Sequence, residues 1–230
     1  MNLLTVDTST TTCSVALTLN GRLAVEYLLN FDRTLSRQLL SSIDTVLRGA
    51  GVAVEDLDGF GVALGPGSFT GVRVGVATVK GLALATGKPV AGFSSLAMLA
   101  MNLPWSGFPV CPMFDARKKE VYAGVYRCTD LPQPVVPDTV LSPEAFVGMI
   151  DAPTVFLGDG ALRYRGVIES LLGDRAIFAP PHCHQPRAAA GALLAAEVFR
   201  TGSTMPLTDL NPAYIRPSEA DLARMVRKSP

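Results

Sequence analysis

Residues 65–75, with the sequence GPGSFTGVRVG, constrain the fold of this chain more than any other stretch. They follow an apolar run at 60–64 that is predicted to be a buried strand, and they open a helix predicted at 68–86. A strand, a glycine-rich turn and a helix in this order are typical of α/β proteins in which the turn holds a phosphate group. The first question about function is therefore whether this turn binds phosphate.

The spacing of the glycines argues against phosphate binding. A dinucleotide-binding turn has glycines at its first, third and sixth positions and an acidic residue about 20 positions later. Here the third glycine, Gly71, comes one position late, and residues 90–96 include no acid. Pro66 removes one backbone N–H from the turn, and the Gly87-Lys88 pair runs into a proline instead of the Ser or Thr of a P-loop. The turn is not predicted to bind phosphate.

The predicted helix after this turn is apolar on nearly all sides. Its small-residue stripe consists of Gly67, Gly71, Gly75 and Thr78, and its apolar stripe consists of Val72, Val76, Val79 and Ala83. Such a helix must be buried on nearly all sides, and its valines and glycines make it weak in isolation. We expect one side to pack on its own sheet. The small residues would let another helix approach, either the one predicted at 35–48, a helix of a second subunit, or both.

Alternating strands and helices predict the fold class. The predicted strands are 3–6, 13–19, 23–29, 60–64, 89–93, 110–114, 121–126 and 154–157, and the predicted helices are 35–48, 68–86, 96–101 and 188–199. A stretch rich in proline and glycine at 104–109 separates two halves that open alike. We therefore predict an α/β chain of two related domains, 1–105 and 106–230, the second ending in a tail with a mildly basic helix.

Composition narrows the possible functions. The 230 residues include 20 basic and 20 acidic ones, so net charge draws the chain neither to nucleic acid nor to a membrane. The most apolar segment, 72–85, contains Arg73 and Lys80, which argues against a transmembrane helix. The four cysteines form no Cys-x-x-Cys pair, as expected of free thiols in a reducing compartment. The N-terminus does not resemble a signal peptide, and we predict a cytoplasmic protein.

Two aspartates mark the ends of the strands that open the two halves. Asp7 follows the strand at 3–6, Asp115 follows the strand at 110–114, and Asp159 lies in a glycine turn. Paired carboxylates at strand ends suit a Mg²⁺–phosphate site between domains, as in an ATP-dependent small-molecule kinase. The alternative is that these aspartates shape turns and helix caps. The residues after Asp115, Ala-Arg-Lys-Lys-Glu, lack the glycines of a nucleotide-binding turn and favour the alternative.

The tripeptide His182-Cys183-His184 contains three possible metal ligands. Side chains so close in sequence rarely converge on one tetrahedral centre, and the chain has no other histidine. We therefore predict a surface loop and no metal site at this position.

Several motifs are specific when taken together. They are VDTS at 6–9, CSVAL at 13–17, GPGSFTGVR at 65–73, DAR at 115–117, EVY at 120–122 and P-x-Y-I-R at 212–216. In this combination the chain closely resembles the bacterial TsaB (YeaZ) family over nearly its whole length. The resemblance implies the actin-like, ribonuclease-H-type (ASKHA) fold of two related α/β domains. It also implies a role in forming threonylcarbamoyladenosine at position 37 of tRNAs that read codons beginning with A.

The resemblance further implies a division of labour between subunits. In this family the paralogue TsaD holds the metal and transfers the threonylcarbamoyl group, the ATPase TsaE completes the assembly, and TsaB is a non-catalytic partner without a cofactor. This chain lacks the metal-binding histidine pair of TsaD, and Arg117, Lys118 and Lys119 replace the glycines of its nucleotide-gripping turn. We expect a heterodimer with TsaD, a homodimer when the chain is alone, and contact with tRNA only through the complex.

In that heterodimer the helices at 35–48 and 68–86 would pack against their counterparts in TsaD. The residues expected to contact the partner are Leu39, Ile43, Val46, Gly71, Val72, Gly75, Val76 and Val79. The same surface would form the homodimer. On this expectation, the substitution Gly75→Leu breaks association and leaves the fold largely intact.

Overall fold

The computed structural model describes residues 1–30 and 35–216, and the basic helix predicted in the tail lies outside these ranges. The chain forms two five-stranded sheets. The elements of the first half are β1 (Leu3–Asp7), β2 (Thr12–Leu19), β3 (Arg22–Asn30), α1 (Leu35–Ala50), β4 (Gly59–Ala63), α2 (Phe69–Thr86), β5 (Val90–Phe93) and α3 (Ser95–Ala100). Those that follow are β6 (Val110–Asp115), β7 (Val121–Cys128), β8 (Pro132–Leu141), α4 (Pro143–Val147), β9 (Thr154–Leu157), α5 (Asp159–Arg163), α6 (Arg165–Leu172), β10 (Ala176–Phe178) and α7 (Ala188–Arg200).

The two sheets have the same topology. The first has the strand order β3-β2-β1-β4-β5, and the second has the equivalent order β8-β7-β6-β9-β10. In each sheet the first three strands in sequence pair in antiparallel fashion, the fourth pairs in parallel with the opening strand, and the fifth pairs in parallel with the fourth. This repeat confirms the predicted α/β class with two related halves.

Helices cover both faces of the first sheet, and this explains why its central strands β1 and β4 are buried throughout and mainly apolar. All five residues of β1 and of β4 are buried. One hydrophobic core lies between this sheet and the helices α1 and α2. A second core lies on the opposite face, where α3, α7 and residues of the second sheet meet, and a third belongs to the second half. Strands that are buried on both faces carry continuous apolar runs rather than alternating ones.

The last helix returns to the first sheet. Although α7 follows the second sheet in sequence, it packs on β1, β2, β4 and β5. The chain beyond it stays there, because the Ala213 N–H donates to the Leu64 carbonyl at 2.7 Å. The predicted second domain, 106–230, thus includes a segment that lies on the first sheet. We propose a first unit made of residues 1–105 together with the segment from α7 to residue 216.

Some elements do not follow from the sequence pattern. The strand β8 contains Pro132, Pro134 and Pro137, which speak against a strand. It lies at the edge of the second sheet, where one side of the strand needs no ladder hydrogen bonds and prolines are tolerated. None of the described helices is long and apolar enough to cross a membrane.

Candidate partner-binding surface

The glycine-rich turn packs on the segment that follows β1. The Ser68 N–H donates to the Ser9 carbonyl at 2.6 Å, and the Thr8 hydroxyl donates to the Gly71 carbonyl at 2.8 Å. A Cβ atom at Gly71 would collide with the Thr8 carbonyl, and one at Gly75 would collide with the Thr8 hydroxyl. The small residues at these positions are therefore required by contacts inside the chain. At Gly71 and Gly75 the residue that comes close is Thr8, directly after β1. The prediction that another helix comes close at these positions is wrong for both glycines.

The eight residues predicted to contact a partner lie on the inner face of their helices. The apolar ones, Leu39, Ile43, Val46, Val72, Val76 and Val79, are 0–4% exposed and belong to the core under the first sheet. Gly71 and Gly75 are buried against Thr8. The described chain thus already covers these side chains. A partner that packs on α1 and α2 must therefore contact the faces of these helices that point away from the first sheet.

That opposite face of α2 is exposed over the whole helix. We define the outer face of α2 by its exposed residues, which are Phe69, Thr70, Arg73, Ala77, Gly81, Leu84 and Ala85. Leu84 is 76% exposed and Phe69 is 42% exposed, and Leu40 on the neighbouring α1 is 57% exposed. Burial of one such side chain is worth about 1.5–3 kcal/mol. The outer face therefore offers apolar area that the described chain leaves uncovered.

Two aromatic side chains, Phe69 and Tyr214, hold the side chain of Arg73 on the outer face of α2. The Arg73 guanidinium lies 3.7 Å from the centroid of the Phe69 ring, and its Nε donates to the Tyr214 hydroxyl at 2.6 Å. The two rings are 5.2 Å apart, and Tyr214 is 43% exposed. The sequence pattern does not predict a site at these three residues. The available signal was that they belong to two motifs separated by about 140 positions of sequence.

Residues 212–216 contact other motifs that are distant in sequence. Beyond Tyr214, the Arg216 guanidinium donates to the Ala116 carbonyl at 2.8 Å and to the Glu120 carboxylate. Residues 212–216 therefore touch both the glycine-rich turn with its helix and the turn between β6 and β7. Four of the motifs, 65–73, 115–117, 120–122 and 212–216, are thus in direct contact although they are distant in sequence.

Asp7, the last residue of β1, is buried inside the chain. It has no exposed area, and its Oδ1 accepts a hydrogen bond from the Ser9 N–H at 3.1 Å. Its Oδ2 has no hydrogen-bond partner among the described residues. Because burial disfavours the charged form, the pKa of Asp7 is raised to about 6, although the hydrogen bonds from Ser9 and Thr8 lower it in part. This carboxylate is not open to a metal–nucleotide complex.

Asp115 is engaged in ion pairs. Its Oδ2 lies 2.7 Å from the Arg163 guanidinium and 3.2 Å from that of Arg117. The neighbouring Asp159 accepts hydrogen bonds from the backbone N–H groups of Asp115 and Gly160, at 3.2 and 2.9 Å. Burial raises the pKa of Asp159. These two aspartates shape the end of β6 and the start of α5, as the turn-and-cap interpretation predicts.

The histidine tripeptide differs from the predicted surface loop. His182 is exposed, but Cys183 and His184 are 5% and 4% exposed. The Nδ1 of His184 accepts a hydrogen bond from the Gly158 N–H at 3.1 Å, and its Nε2 lies 3.0 Å from the Ala179 carbonyl. His184 therefore links the segment before α7 to the start of α5. Within residues 1–30 and 35–216, no group of three His, Cys, Asp or Glu side chains is placed to hold a metal ion.

Comparisons with known proteins identify the family. A family model described as TsaD, tRNA N6-adenosine threonylcarbamoyltransferase, matches residues 30–224. The tRNA threonylcarbamoyladenosine biosynthesis protein TsaB of Bacillus subtilis is 32% identical over 225 residues, which cover 96% of each chain. The chain belongs to the TsaB family. A TsaB-like solved structure, YeaZ from Pseudomonas aeruginosa, superposes with a TM-score of 0.83 at 32% identity, covering 93% of this chain and 99% of that one.

More distant structures support the fold of this TsaB family member. The ROK hexokinase of Thermus thermophilus has a TM-score of 0.51 at 13% identity, covering 88% of this chain and 100% of the hexokinase. At that identity the likeness concerns the fold alone. Together with the repeated sheet topology it confirms the predicted actin-like architecture.

Proposed function

We propose that this TsaB family member is the non-catalytic partner subunit, with TsaD and TsaE, of the machinery that forms threonylcarbamoyladenosine at position 37 of tRNAs reading codons that begin with A. In this proposal TsaD transfers the threonylcarbamoyl group, and the present chain supports it by forming a heterodimer. The chain acts in the cytoplasm, uses no cofactor of its own, forms a homodimer when alone and meets tRNA through the complex.

The observation that carries the proposal is the engagement of both strand-end aspartates within the chain. Asp7 is buried with a raised pKa, and Asp115 is paired with Arg163 and Arg117. In a phosphoryl-transfer site of this architecture, such carboxylates would have to face Mg²⁺ and nucleotide. Family membership supports the same proposal, because the relative from Bacillus subtilis bears the name of a tRNA threonylcarbamoyladenosine biosynthesis protein.

The outer face of α2 supports a role as a binding partner. It is long, exposed and rich in apolar atoms, and its aromatic–arginine cluster has the composition of interface residues that dominate binding energy. We therefore place the contact with TsaD on the outer faces of α1 and α2. This replaces the inner residues that sequence analysis predicted.

Depletion and reconstitution test the proposed function. Depleting this protein from its host should abolish threonylcarbamoyladenosine in tRNA, measured by mass spectrometry of nucleosides. Purified TsaD of the same host should co-elute with the chain, and modification in vitro should require both. Re-expression of the wild-type gene is the control. An unchanged level of the modified nucleoside after depletion would refute the proposal.

The alternative of an ATP- and Mg²⁺-dependent small-molecule kinase needs Asp7 and Asp115 open to a nucleotide, and their geometry gives it no support. Calorimetry of the isolated chain with ATP and Mg²⁺ distinguishes the two functions. A working kinase should bind its nucleotide at about micromolar concentration, which is readily measured by heat release.

A further inference from the structure

The two helices proposed to meet the partner carry an uneven charge. Although the whole chain has equal numbers of acidic and basic residues, the sequences of α1 and α2 together contain four basic residues and one acidic residue. The acidic one, Asp44, pairs with Arg48 on its own helix at 2.8 Å. The helix α2 carries Arg73 and Lys80 and no acid at all. Arg73 lies on the outer face of α2, and Lys80 is half-buried beside that face, so the charges here are basic.

Arg73 is held in place, and within residues 1–30 and 35–216 its terminal nitrogens have no hydrogen-bond acceptor. The guanidinium lies over the Phe69 ring, and its Nε is bonded to the Tyr214 hydroxyl. No carboxylate of the described chain lies within ion-pair distance of it, and no described residue accepts a hydrogen bond from its terminal nitrogens. A guanidinium fixed in this way loses little further side-chain entropy on binding, and its two terminal groups match the two oxygens of a carboxylate.

A second copy of the chain does not supply the matching charge. In a two-fold dimer built on the outer face of α2, the same face of both copies would meet. Arg73 of each copy would then approach a face whose charged residue is again Arg73, with half-buried Lys80 beside it, and like charges across an interface oppose association. We therefore expect a homodimer on this surface to be weaker than a complex with an acidic partner.

We infer that the outer face of α2 is selective for a protein partner that presents acidic side chains on an apolar helix face, and that Arg73, positioned by Phe69 and Tyr214, is the main determinant of this selection. The inference rests on the proposed function and specifies the chemistry of the partner surface. A protein is favoured over a nucleic acid because Leu84, Ala77 and Gly81 place apolar atoms beside the two cations. An apolar centre with charged residues beside it is the composition of a protein interface.

Charge reversal tests this inference. The variant Arg73→Glu/Lys80→Glu should bind purified TsaD of the same host about tenfold or more weakly at low salt, and the loss should shrink at high salt because screening removes it. The matched control is Arg22→Glu/Arg127→Glu, which changes the same number of charges at exposed positions of the first and second sheets. The control should bind within about twofold of wild type. Melting temperatures within about 3 °C of wild type establish that each variant is folded.

Self-association provides a second measurement that does not depend on TsaD. An equimolar mixture of wild type and the reversed variant should associate about tenfold more tightly than wild type alone in analytical ultracentrifugation, because opposite charges now meet. The variant Tyr214→Phe keeps all charges and removes only the hydrogen bond to Arg73. It should weaken TsaD binding by about threefold at low salt, which isolates the positioning effect.

The outcomes separate the inference from the proposed function. If wild type does not bind TsaD at any salt concentration, the proposed function fails. If wild type binds and the reversed variant binds equally well, the selection by charge is wrong while the proposed function stands. Reversal that weakens binding of tRNA to the isolated chain, and leaves TsaD binding unchanged, would overturn the inference in favour of a nucleic-acid surface.

Discussion

The inner and outer faces of α2 have opposite properties on the same helix. On the inner face Gly75 leaves no room for a side chain, because the Thr8 hydroxyl occupies the space. On the outer face a Cβ at Gly81 would have no described atom within 4 Å beyond its chain neighbours and the backbone of its own helix. The inner valines are almost completely buried, whereas Leu84 is 76% exposed. The same residue types thus serve the fold on one face and remain available for binding on the other.

A small residue therefore indicates that another part of the protein comes close to the helix, but it does not show which part. The glycines of the inner face were predicted to admit another helix, and they admit the Thr8 segment of the chain itself. The substitution Gly75→Leu is therefore expected to damage the fold, and it cannot serve as a test of association. Tests of association belong on the outer face.

The largest expected effect comes from Gly71→Ala on the inner face. The added Cβ would collide with the Thr8 carbonyl, a backbone atom that cannot move without shifting the end of β1. We expect the free energy of unfolding to fall by about 3 kcal/mol or more, at the upper end of overpacking costs. Urea denaturation at neutral pH measures it. A loss below about 1 kcal/mol would show that the inner contact is loose.

The next largest effect concerns the carboxyl group of Asp7, the residue before Thr8. The pKa of Asp7 is about 6 in the folded chain against 3.8 for an unperturbed aspartate, so the folded state binds the proton more tightly. The corresponding stability is fully present below about pH 4 and is lost as pH rises through 6, with a total of about 3 kcal/mol.

The variant Asp7→Asn carries no titrating group at this site. Relative to wild type, it should therefore gain about 3 kcal/mol in the free energy of unfolding between pH 4 and pH 8. Denaturation curves of both proteins at several pH values give this difference directly. A difference that stays constant with pH would mean that Asp7 is not buried as described.

A matched pair of apolar substitutions separates the two faces. Leu84→Ala on the outer face should weaken binding of TsaD by about 1–2 kcal/mol and change the free energy of unfolding by less than about 0.5 kcal/mol. Val79→Ala on the inner face should destabilise the chain by about 2 kcal/mol, because it leaves a cavity in the core. Calorimetric titration and thermal melts of both variants give the comparison. If Leu84→Ala binds TsaD like wild type, the outer face is not the contact.

The smallest expected effect is that of Gly81→Ala. Alanine stabilises an exposed helix position by about 0.5–1 kcal/mol relative to glycine, and the site has room for the added methyl group. A small rise in melting temperature is expected. Destabilisation instead would mean that Gly81 is packed against part of the chain, contrary to the contrast with Gly75.

Much of the architecture could be predicted from local patterns. The strands at 3–6 and 154–157 and the helix at 68–86 agree with the observed elements to within one residue at each end. Their apolar runs end at an aspartate or a glycine, and the repeated opening pattern indicates two related halves. The edge strand β8 could not be predicted, because its prolines are compatible with a strand only at the edge of a sheet.

The candidate site could be predicted only in part. The sequence identifies α2 as a helix that must be packed, and it identifies the motifs at 65–73 and 212–216 as unusual. It does not show which face of α2 the sheet covers, because both faces carry apolar and small residues. Nor does it show that Arg73 and Tyr214 meet, since 141 positions separate them.

The α/β class, the repeat of two halves and the resemblance to the TsaB family can be recognised from the amino-acid sequence, because periodicity and motifs are properties of neighbouring residues. Three features are visible only in the folded chain: α7 returns to the first sheet, Asp7 is buried, and Gly71 and Gly75 face Thr8. These features depend on contacts between distant segments, whose energies arise only after the chain has closed the loops between them.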